Sequence, residues 1–178
     1  MRMRVRIYTL YMRGVIWRDI MFRKMRRFKQ AVSEEECRQI LKTEKRGVLS
    51  VIGDNGYPYG IPINFYYDEN DGKIYFHCAK EGHKIDAIKN CDKACFTTWN
   101  TGFKKDGDWA WNVTSVIAMG RAELVNDSSI IYEKVRTLAL KYYPTEEEVN
   151  EEMEKAVSRV QLIALSIEHL TGKLVNEK

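Results

Sequence analysis

The residues best suited to chemistry lie where a predicted strand passes through a glycine turn into a short helix. Residues 73–79 alternate polar and apolar side chains, which is the period of a half-buried strand. Gly82 supplies a turn, and the apolar residues after it predict a short helix that ends near Asn90. His83 and Lys84 therefore fall at the helix N-terminus, where unpaired backbone N–H groups and the positive end of the helix dipole collect.

This placement favours a bound anion. Cationic side chains are unfavourable at a helix N-terminus unless a negative group lies among them, and a phosphate beside a lysine is a common arrangement there. Asp86 does not neutralise Lys84, because residues two apart on a helix do not face each other. A lysine solvated on a surface turn fits the same spacing equally well, so the pattern leaves both interpretations open.

The chain lacks the motifs of several common enzyme classes. It holds no Gly-x-Gly-x-x-Gly after a strand, no P-loop and no Gly-x-Ser-x-Gly elbow. Three histidines are too few and too separated to predict a metal site, and the four cysteines, which show neither zinc nor disulfide spacing, are interpreted as reduced thiols of a cytoplasmic protein. Without a recognisable nucleophile or acid–base set, difficult chemistry is expected to belong to a bound cofactor.

Composition and charge predict one globular domain with a basic leader. The 178 residues are 44% hydrophobic and 30% charged, and no apolar run has the length needed to cross a membrane. Residues 1–30 carry ten Arg or Lys and one acidic residue, whereas the rest of the chain is mildly acidic. We interpret residues 1–20 as a basic extension, either an over-extended start or a disordered arm, and residues 21–178 as a single domain. Such a leader can also bind nucleic acid or an anionic membrane surface.

Turn residues between alternating apolar runs predict a mainly β protein of the α+β class. Six strands are predicted, at residues 47–53, 57–67, 73–79, 93–100, 114–125 and 162–167. Helices are predicted at residues 33–43, 83–90, 128–142 and 146–158, and a polar tail at residues 168–178. Strands in hairpin order with helices around them indicate an antiparallel barrel or sheet.

The second predicted strand contains two prolines, Pro58 and Pro62. Proline cannot donate a hydrogen bond to a sheet ladder, so it is confined to edge strands, bulges and interrupted ladders. The backbone near Ile63 and Asn64 is therefore expected to be open to a group other than a neighbouring strand.

The loop at residues 101–113 holds two tryptophans, Trp109 and Trp111. A loop of this length in a small domain is usually functional or disordered, and two tryptophans fit disorder badly. Buried indoles that anchor the loop are the favoured interpretation. A lid over a planar ligand and a dimer contact are the alternatives.

Three runs give the chain a resemblance to a known family. They are Gly-Tyr-Pro-Tyr-Gly-Ile-Pro-Ile-Asn-Phe-Tyr-Tyr at residues 56–67, Ile-Tyr-Phe-His-Cys-Ala-Lys-Glu-Gly-His-Lys-Ile-Asp-Ala-Ile at 74–88, and Ser-Val-Ile-Ala-Met-Gly-Arg-Ala at 115–122. The sequence resembles the FMN-binding split-barrel proteins related to pyridoxamine 5′-phosphate oxidase, and within them the nitroimidazole-resistance (Nim-type) group. The likeness extends from residue 21 to residue 173, and Phe-His-x-Ala-x-x-Gly-His-Lys is its most specific part.

The resemblance implies a fold, an assembly and a cofactor site. The fold is a six-stranded antiparallel split β-barrel with flanking helices, and the assembly is a homodimer with FMN in the cleft between subunits. His83 and Lys84 are expected to hold the FMN phosphate. The flavin is expected against Pro62, Ile63, Asn64 and Phe65 of one strand, against Phe76, His77 and Ala79 of the next, and against Ser115 and Val116 near the subunit interface.

The function implied by the resemblance is that of a nitroreductase-like, FMN-dependent oxidoreductase. FMN would accept a hydride from NADH or NADPH and pass electrons to a small acceptor such as a nitroaromatic or quinone. His77 is the candidate catalytic residue facing the substrate, and a histidine hydrogen-bonded within the barrel is its other interpretation.

Other functions stay open beside this one. The chain lacks the C-terminal segment with a Trp and an Arg that completes the substrate site of true pyridoxamine 5′-phosphate oxidases, so vitamin B6 oxidation is not expected. The alternative function is a non-catalytic FMN- or haem-binding protein, a carrier or a sensor. Nucleic-acid binding through the basic leader is the least favoured hypothesis.

Overall fold

Eight strands and four α-helices make up residues 22–176, the part of the chain that this computed structural model describes; the predicted extension at residues 1–20 lies outside it. The strands are β1 (Arg46–Ile52), β2 (Pro58–Asn64), β3 (Tyr66–Asp68), β4 (Lys73–Ala79), β5 (Lys93–Trp99), β6 (Phe103–Lys104), β7 (Trp111–Val125) and β8 (Val160–Asn176). The helices are α1 (Glu34–Thr43), α2 (His83–Asn90), α3 (Ser128–Leu140) and α4 (Glu146–Ala156).

The strands form one antiparallel sheet in the order β2-β1-β5-β7-β8-β4-β3, with β6 beside β7. The sheet curls until β2 at one end contacts β4 near the other, which makes an open barrel. The predicted mainly β, antiparallel split barrel with flanking helices is confirmed. The described residues hold eight strands rather than six, because residues 57–67 break into β2 and β3 at Phe65 and because β6 is an additional short strand.

The hairpin between β1 and β2 follows the predicted turn chemistry. Asn55 and Gly56 adopt positive φ angles of 58° and 77°, which asparagine and glycine tolerate better than other residues. Pro58 and Pro62 lie on β2, an end strand of the sheet, as their missing N–H groups predicted. The edge-strand prediction is therefore confirmed.

The C-terminal strand β8 is much longer than the sequence pattern predicted. The prediction that it ends at Ile167 and gives way to a polar tail is wrong, because β8 pairs with β7 as far as Asn176 opposite Asn112. A bulge lets the strand continue, since Gly120 pairs with Ile167 while Met119 pairs with His169 and leaves Glu168 unmatched.

Gly120 allows the two backbones to approach at this bulge. A Cβ atom at Gly120 would lie 1.9 Å from the Ser166 carbonyl oxygen, so a residue with a side chain cannot occupy the position without moving the strand. A close approach of two backbones is a common reason for a glycine inside a strand.

Two apolar clusters hold the fold together. Inside the barrel, the Phe65 and Phe76 rings pack on Phe96 at centroid distances of 4.6 and 5.1 Å, and Ile85 and Ile88 of α2 join them. Each such buried side chain contributes about 2 kcal/mol through removal from water. The second cluster lies outside the barrel, where α3 and α4 cover β4 and β8; it consists of Tyr75, Val135, Val149, Met153, Leu162 and Ala164.

A local sequence signal sets the N-terminal end of α1. Glu36 N–H donates to the Ser33 hydroxyl (3.2 Å) and Ser33 N–H donates back to the Glu36 carboxylate (2.9 Å), and this reciprocal pair is a capping box. Within residues 22–176, none of the helices combines the length and apolar character that a membrane-spanning helix requires.

The tryptophan-bearing loop differs from its favoured interpretation. Trp109 and Trp111 are 68% and 42% exposed, so the prediction that buried indoles anchor the loop is wrong. Instead, β6 pairs with the start of β7, and the Asn112 side chain donates to the Phe103 carbonyl (3.3 Å). Hydrogen bonds rather than aromatic burial therefore order this loop.

Candidate functional site

The N-terminus of α2 is uncapped and carries an unpaired cation. Gly82 adopts a φ angle of 123° before the helix, and within residues 22–176 no side chain caps its first N–H groups. The first intrahelical bonds run from Ile85 and Asp86 N–H to the Gly82 carbonyl, at 2.9 and 3.2 Å. No carboxylate of the described chain lies within ion-pair distance of Lys84. This combination suits a bound anion.

His83 fastens the same helix end to the β1–β2 hairpin. Its ring stacks on Tyr59 with centroids 4.2 Å apart and planes 20° apart. Its Nε2 atom accepts the Asp54 backbone N–H at 3.4 Å and lies 3.5 Å from the Asp54 carboxylate. His83 thus positions α2, and the structure places it next to Lys84 with one ring nitrogen turned towards the hairpin.

His77 and Asn64 line one cavity beneath the α3–α4 hairpin. This cavity, called here the α3–α4 cavity, has a volume of about 230 Å³, and residues of α3, α4 and the start of β8 form its other walls. Among the described residues, the ring of His77 makes no hydrogen bond that would support its interpretation as a structural histidine. Protein surrounds one side of the ring, and this burial, followed by the charge of Lys84, lowers the pKa of His77. This direction favours the neutral form of the imidazole.

The break between β2 and β3 is held by a residue that sequence reasoning missed. Phe65 N–H donates to the Tyr142 hydroxyl at 2.9 Å, and that hydroxyl lies within donating distance of the carbonyls of Phe65 (3.0 Å) and Lys45. Lys141 places its ammonium 4.4 Å from the centre of the Phe65 ring and donates to the Glu44 carbonyl. The prolines predicted open backbone near Ile63 and Asn64. The structure shows that the next residue, Phe65, is bound by Tyr142, which lies just after α3.

The other predicted site residues on β2 to β4 divide into two groups. The side chains of Phe65 and Phe76 are fully buried in the barrel core, so only their backbone can meet a ligand. Pro62 and Ala79 are exposed, and Ile63 is half-buried. Exposed residues of β2 and β4 therefore lie on the outer face of the barrel, while their neighbours pack against the core.

Ser115 and Val116 lie at the opposite end of β7 from the position of His77. They are nevertheless level with the β2 residues across the sheet, because Pro62 pairs with Val48, Val48 with Thr97, and Thr97 with Ile117. His77 pairs with Leu162, and Leu162 pairs with Val125. His77 is therefore in register with the C-terminal end of β7. Ser115 lies ten residues before Val125, which is about 33 Å along a strand. Val116 is also fully buried in the core. The structure brings together the predicted residues of β2, β4 and α2; Val116 shares the barrel core with Phe65 and Phe76, and Ser115 lies three strands across the sheet from β2.

The fold and the sequence together identify the family. A family model described as pyridoxamine 5′-phosphate oxidase matches residues 33–174, and the chain belongs to this family. A search of curated proteins found no significant match.

Solved structures share the fold. A candidate 5-nitroimidazole antibiotic resistance protein from Bacteroides thetaiotaomicron is 19% identical, covers 82% of this chain and 87% of its own, and has a TM-score of 0.67. The flavocytochrome Anf3 from Azotobacter vinelandii is 24% identical, with 85% and 72% covered and a TM-score of 0.69. An FAD and haem binding protein from Mycobacterium smegmatis is 17% identical, with 82% and 73% covered and a TM-score of 0.65. At these identities the likeness shows the fold.

The site residues suit a flavin mononucleotide chemically. The Lys84 ammonium and the uncapped N–H groups of α2 match a phosphate monoester. β2 is an end strand, so one row of its backbone N–H and C=O groups points away from β1 and can meet the polar edge of a planar ring. His77 and Asn64 add polar side chains on β4 and β2, where both line the α3–α4 cavity.

Proposed function

We propose that this protein binds FMN and transfers electrons from NADH or NADPH to a small acceptor such as a nitroaromatic or quinone. The observation that carries the proposal is Lys84, a cation without a carboxylate partner in the described chain, at the uncapped N-terminus of α2. Membership of the pyridoxamine 5′-phosphate oxidase family supports it. Relatives with this fold whose names describe FAD-binding proteins are in line with it.

In this proposal the residues of the chain bind, orient and donate. Lys84 and the first N–H groups of α2 bind the phosphate, while His83 keeps the helix against the hairpin. The backbone at Ile63 and Asn64 orients the ring, and Tyr142 keeps that backbone in place through Phe65. The bound flavin supplies hydride and electron transfer. The lowered pKa of His77 favours the neutral imidazole, which can donate a hydrogen bond to an acceptor oxygen without bringing a charge.

The proposed reaction needs no further reactant. With a nitroaromatic acceptor, NAD(P)H and one proton convert the nitro group into a nitroso group and water, and the two electrons come from the nicotinamide. With a quinone, the same two electrons and two protons give the hydroquinone.

A second copy of the chain is part of the proposal. Ser115 lies at the opposite end of β7 from His77 and is separated from β2 by β1 and β5, so it does not reach the β2 edge within one chain. A homodimer that sets the Ser115 end of one subunit beside the Lys84 end of the other would complete the site. A monomeric mass for the flavin-loaded protein in light scattering would contradict this part of the proposal.

The test is an absorption spectrum of the protein as purified, before and after NADH or NADPH is added without oxygen. We expect a flavin spectrum that bleaches with one of the two nicotinamides, and acid extraction followed by chromatography should release FMN rather than FAD. A flavin spectrum that no nicotinamide bleaches would favour a carrier. A haem band, or a colourless protein that FMN does not reconstitute, would overturn the proposed function.

A further inference from the structure

The α3–α4 cavity combines apolar walls with few polar groups, as small-molecule sites do. Leu138 and Ala139 of α3, Met153 and Ala156 of α4, and Val160 of β8 provide apolar surface. At about 230 Å³, the cavity is smaller than the roughly 300–1,000 Å³ of sites for drug-sized ligands, so it suits a compound of one or two rings.

The polar groups of the cavity lie on two sides. His77 and Asn64 line it from the sheet, next to the proposed flavin position, whereas Tyr143 and Glu152 line it from the helices. A ring held between these sides would contact the apolar walls and would reach His77 with a hydrogen-bond acceptor.

Glu152 is the single carboxylate among the residues that line the α3–α4 cavity, and no lysine or arginine lines it. Within residues 22–176, no basic side chain lies at ion-pair distance from Glu152. An unpaired carboxylate at the edge of an apolar cavity repels anions and attracts cations, and its exposure limits the size of the effect.

We propose that the α3–α4 cavity binds the ring of a small aromatic electron acceptor that is uncharged or cationic, and that Glu152 selects against anionic acceptors. The identification of the ligand as an electron acceptor rests on the proposed function. The cavity and the charge of Glu152 are features of the structure and do not depend on it. It assigns the selection of the acceptor to the α3–α4 hairpin, which lies outside the three runs that carry the family resemblance.

The test uses three one-ring nitroaromatic compounds that differ in charge. They are 4-nitrobenzoate, 4-nitrobenzamide and 4-nitrobenzylamine, which are negative, neutral and positive at pH 7. Calorimetric titration of the full-length protein, loaded with FMN and free of flavin, gives dissociation constants without turnover. We expect the benzoate to bind most weakly to both forms.

Glu152→Gln removes the charge and keeps the shape. It should tighten benzoate binding by about two- to five-fold, weaken benzylamine binding by a similar factor and leave the benzamide unchanged. Glu154→Gln, an exposed position on the same helix outside the cavity lining, is the matched control and should change none of the three. Equal shifts for all three compounds, or none, would overturn the proposal.

Two further outcomes are informative. Ala156→Phe fills the cavity and should weaken binding of the neutral benzamide at least ten-fold, with the circular dichroism of the protein unchanged. Unaltered binding would overturn the proposal. If this variant does not fold, the Glu152→Gln series decides the question. If FMN abolishes binding of all three compounds, the flavin occupies the cavity and the proposal fails, although the proposed function stands. If the protein binds no flavin, the charge series on the flavin-free protein still decides the cavity proposal.

Discussion

The N-terminus of α2 and the middle of α3 each carry a lysine, and the two lysines differ in their partners. Lys134 of α3 donates to Asp68 at 2.7 Å and to Glu133 at 2.9 Å, and the Lys134 and Asp68 side chains are 14% and 3% exposed. Lys84 of α2 has no carboxylate at ion-pair distance in the described chain. Lys134 compensates the buried charge of Asp68. Lys84 compensates no carboxylate of the described chain and can therefore pair with an anionic ligand.

The contrast also appears in the electrostatics of each region. Burial opposes the charge of Lys134, but its hydrogen bonds to Asp68 and Glu133 outweigh burial and raise the pKa of the lysine. Burial likewise opposes the charge of Asp68, and the hydrogen bonds from Lys134 and from Asn70 N–H lower the pKa of that carboxyl. Stability and ligand binding are therefore expected to depend on different lysines.

The largest effect is expected from Lys134→Met, which removes the charge and keeps most of the aliphatic length. Asp68 would lose its cationic partner and keep only the Asn70 N–H as a donor to a buried charge, so the free energy of unfolding at pH 7 should fall by about 3 to 5 kcal/mol. Urea denaturation followed by circular dichroism measures the change. Lys155→Met is the matched control, because both members of its pair with Glu151 are exposed and such a pair contributes about 0.5 kcal/mol or less.

The pH dependence of this first effect has a fixed sign. Because the pKa of Asp68 is lowered in the folded protein, its contribution is fully present above the unfolded carboxyl pKa of about 3.9 and is lost as the pH falls further. The difference between wild type and Lys134→Met should therefore shrink below pH 4. A difference that persists at pH 3 would show that the lysine acts through packing rather than charge.

A smaller and more specific effect is expected from Lys84→Gln. Loss of one charge-assisted hydrogen bond of about 1.5–3 kcal/mol should weaken FMN binding by about 10- to 100-fold. Riboflavin, which lacks the phosphate, should bind equally to wild type and variant, and the free energy of unfolding should change by about 0.5 kcal/mol or less. Flavin fluorescence quenching measures both affinities.

Lys89→Gln provides the control for the Lys84 variant. Lys89 lies on the same helix, is exposed, and falls in the last turn rather than the first. It should leave FMN and riboflavin binding unchanged. If both variants weakened FMN binding equally, general surface charge rather than the helix N-terminus would explain the binding. Lys84 would then have no specific role in binding that distinguishes it from Lys134.

Much of the fold follows from short-range signals. The capping box of Ser33 and Glu36 and the turn at residues 54–56 act within a few residues, so the sequence is enough to predict them. The extension of β8 could not be predicted in this way, because the bulge at Glu168 resets the inside-outside alternation and gives the following residues the pattern of a polar tail. Long-range pairing with β7, which no local pattern contains, decides that segment.

The site residues also separate into those that local sequence predicts and those that depend on long-range packing. Lys84 and His83 share one helix end and were predictable from local chemistry, whereas Tyr142 reaches Phe65 across 77 residues of sequence. The prolines of β2 indicated that some group would bind the open backbone, but only the packing of α3 against the barrel identifies Tyr142. Glu152 gave no signal either, because it is one acid among many in a polar helix.

The smallest effect concerns Lys141, a lysine that differs from both Lys84 and Lys134 because backbone carbonyls surround it. Burial lowers the pKa of Lys141 to about 8, whereas an unfolded lysine titrates near 10.4. Between these two values the unfolded chain holds a proton that the folded protein has released, so the stability of wild type should rise with pH relative to Lys141→Met. The gain should total about 1 kcal/mol or less, since solvent screens this half-buried group.

Urea denaturation of wild type, Lys141→Met and Lys134→Met at pH 7, 8, 9 and 10 distinguishes Lys134 of α3 from Lys141, which directly follows that helix. Groups that titrate in all three proteins cancel in the differences. The Lys141 difference should move in favour of wild type across this range, whereas the Lys134 difference should stay constant because ion pairs keep that lysine charged throughout. A flat Lys141 difference would mean that its carbonyl partners offset burial, so that the ammonium keeps its proton in the folded protein across this pH range.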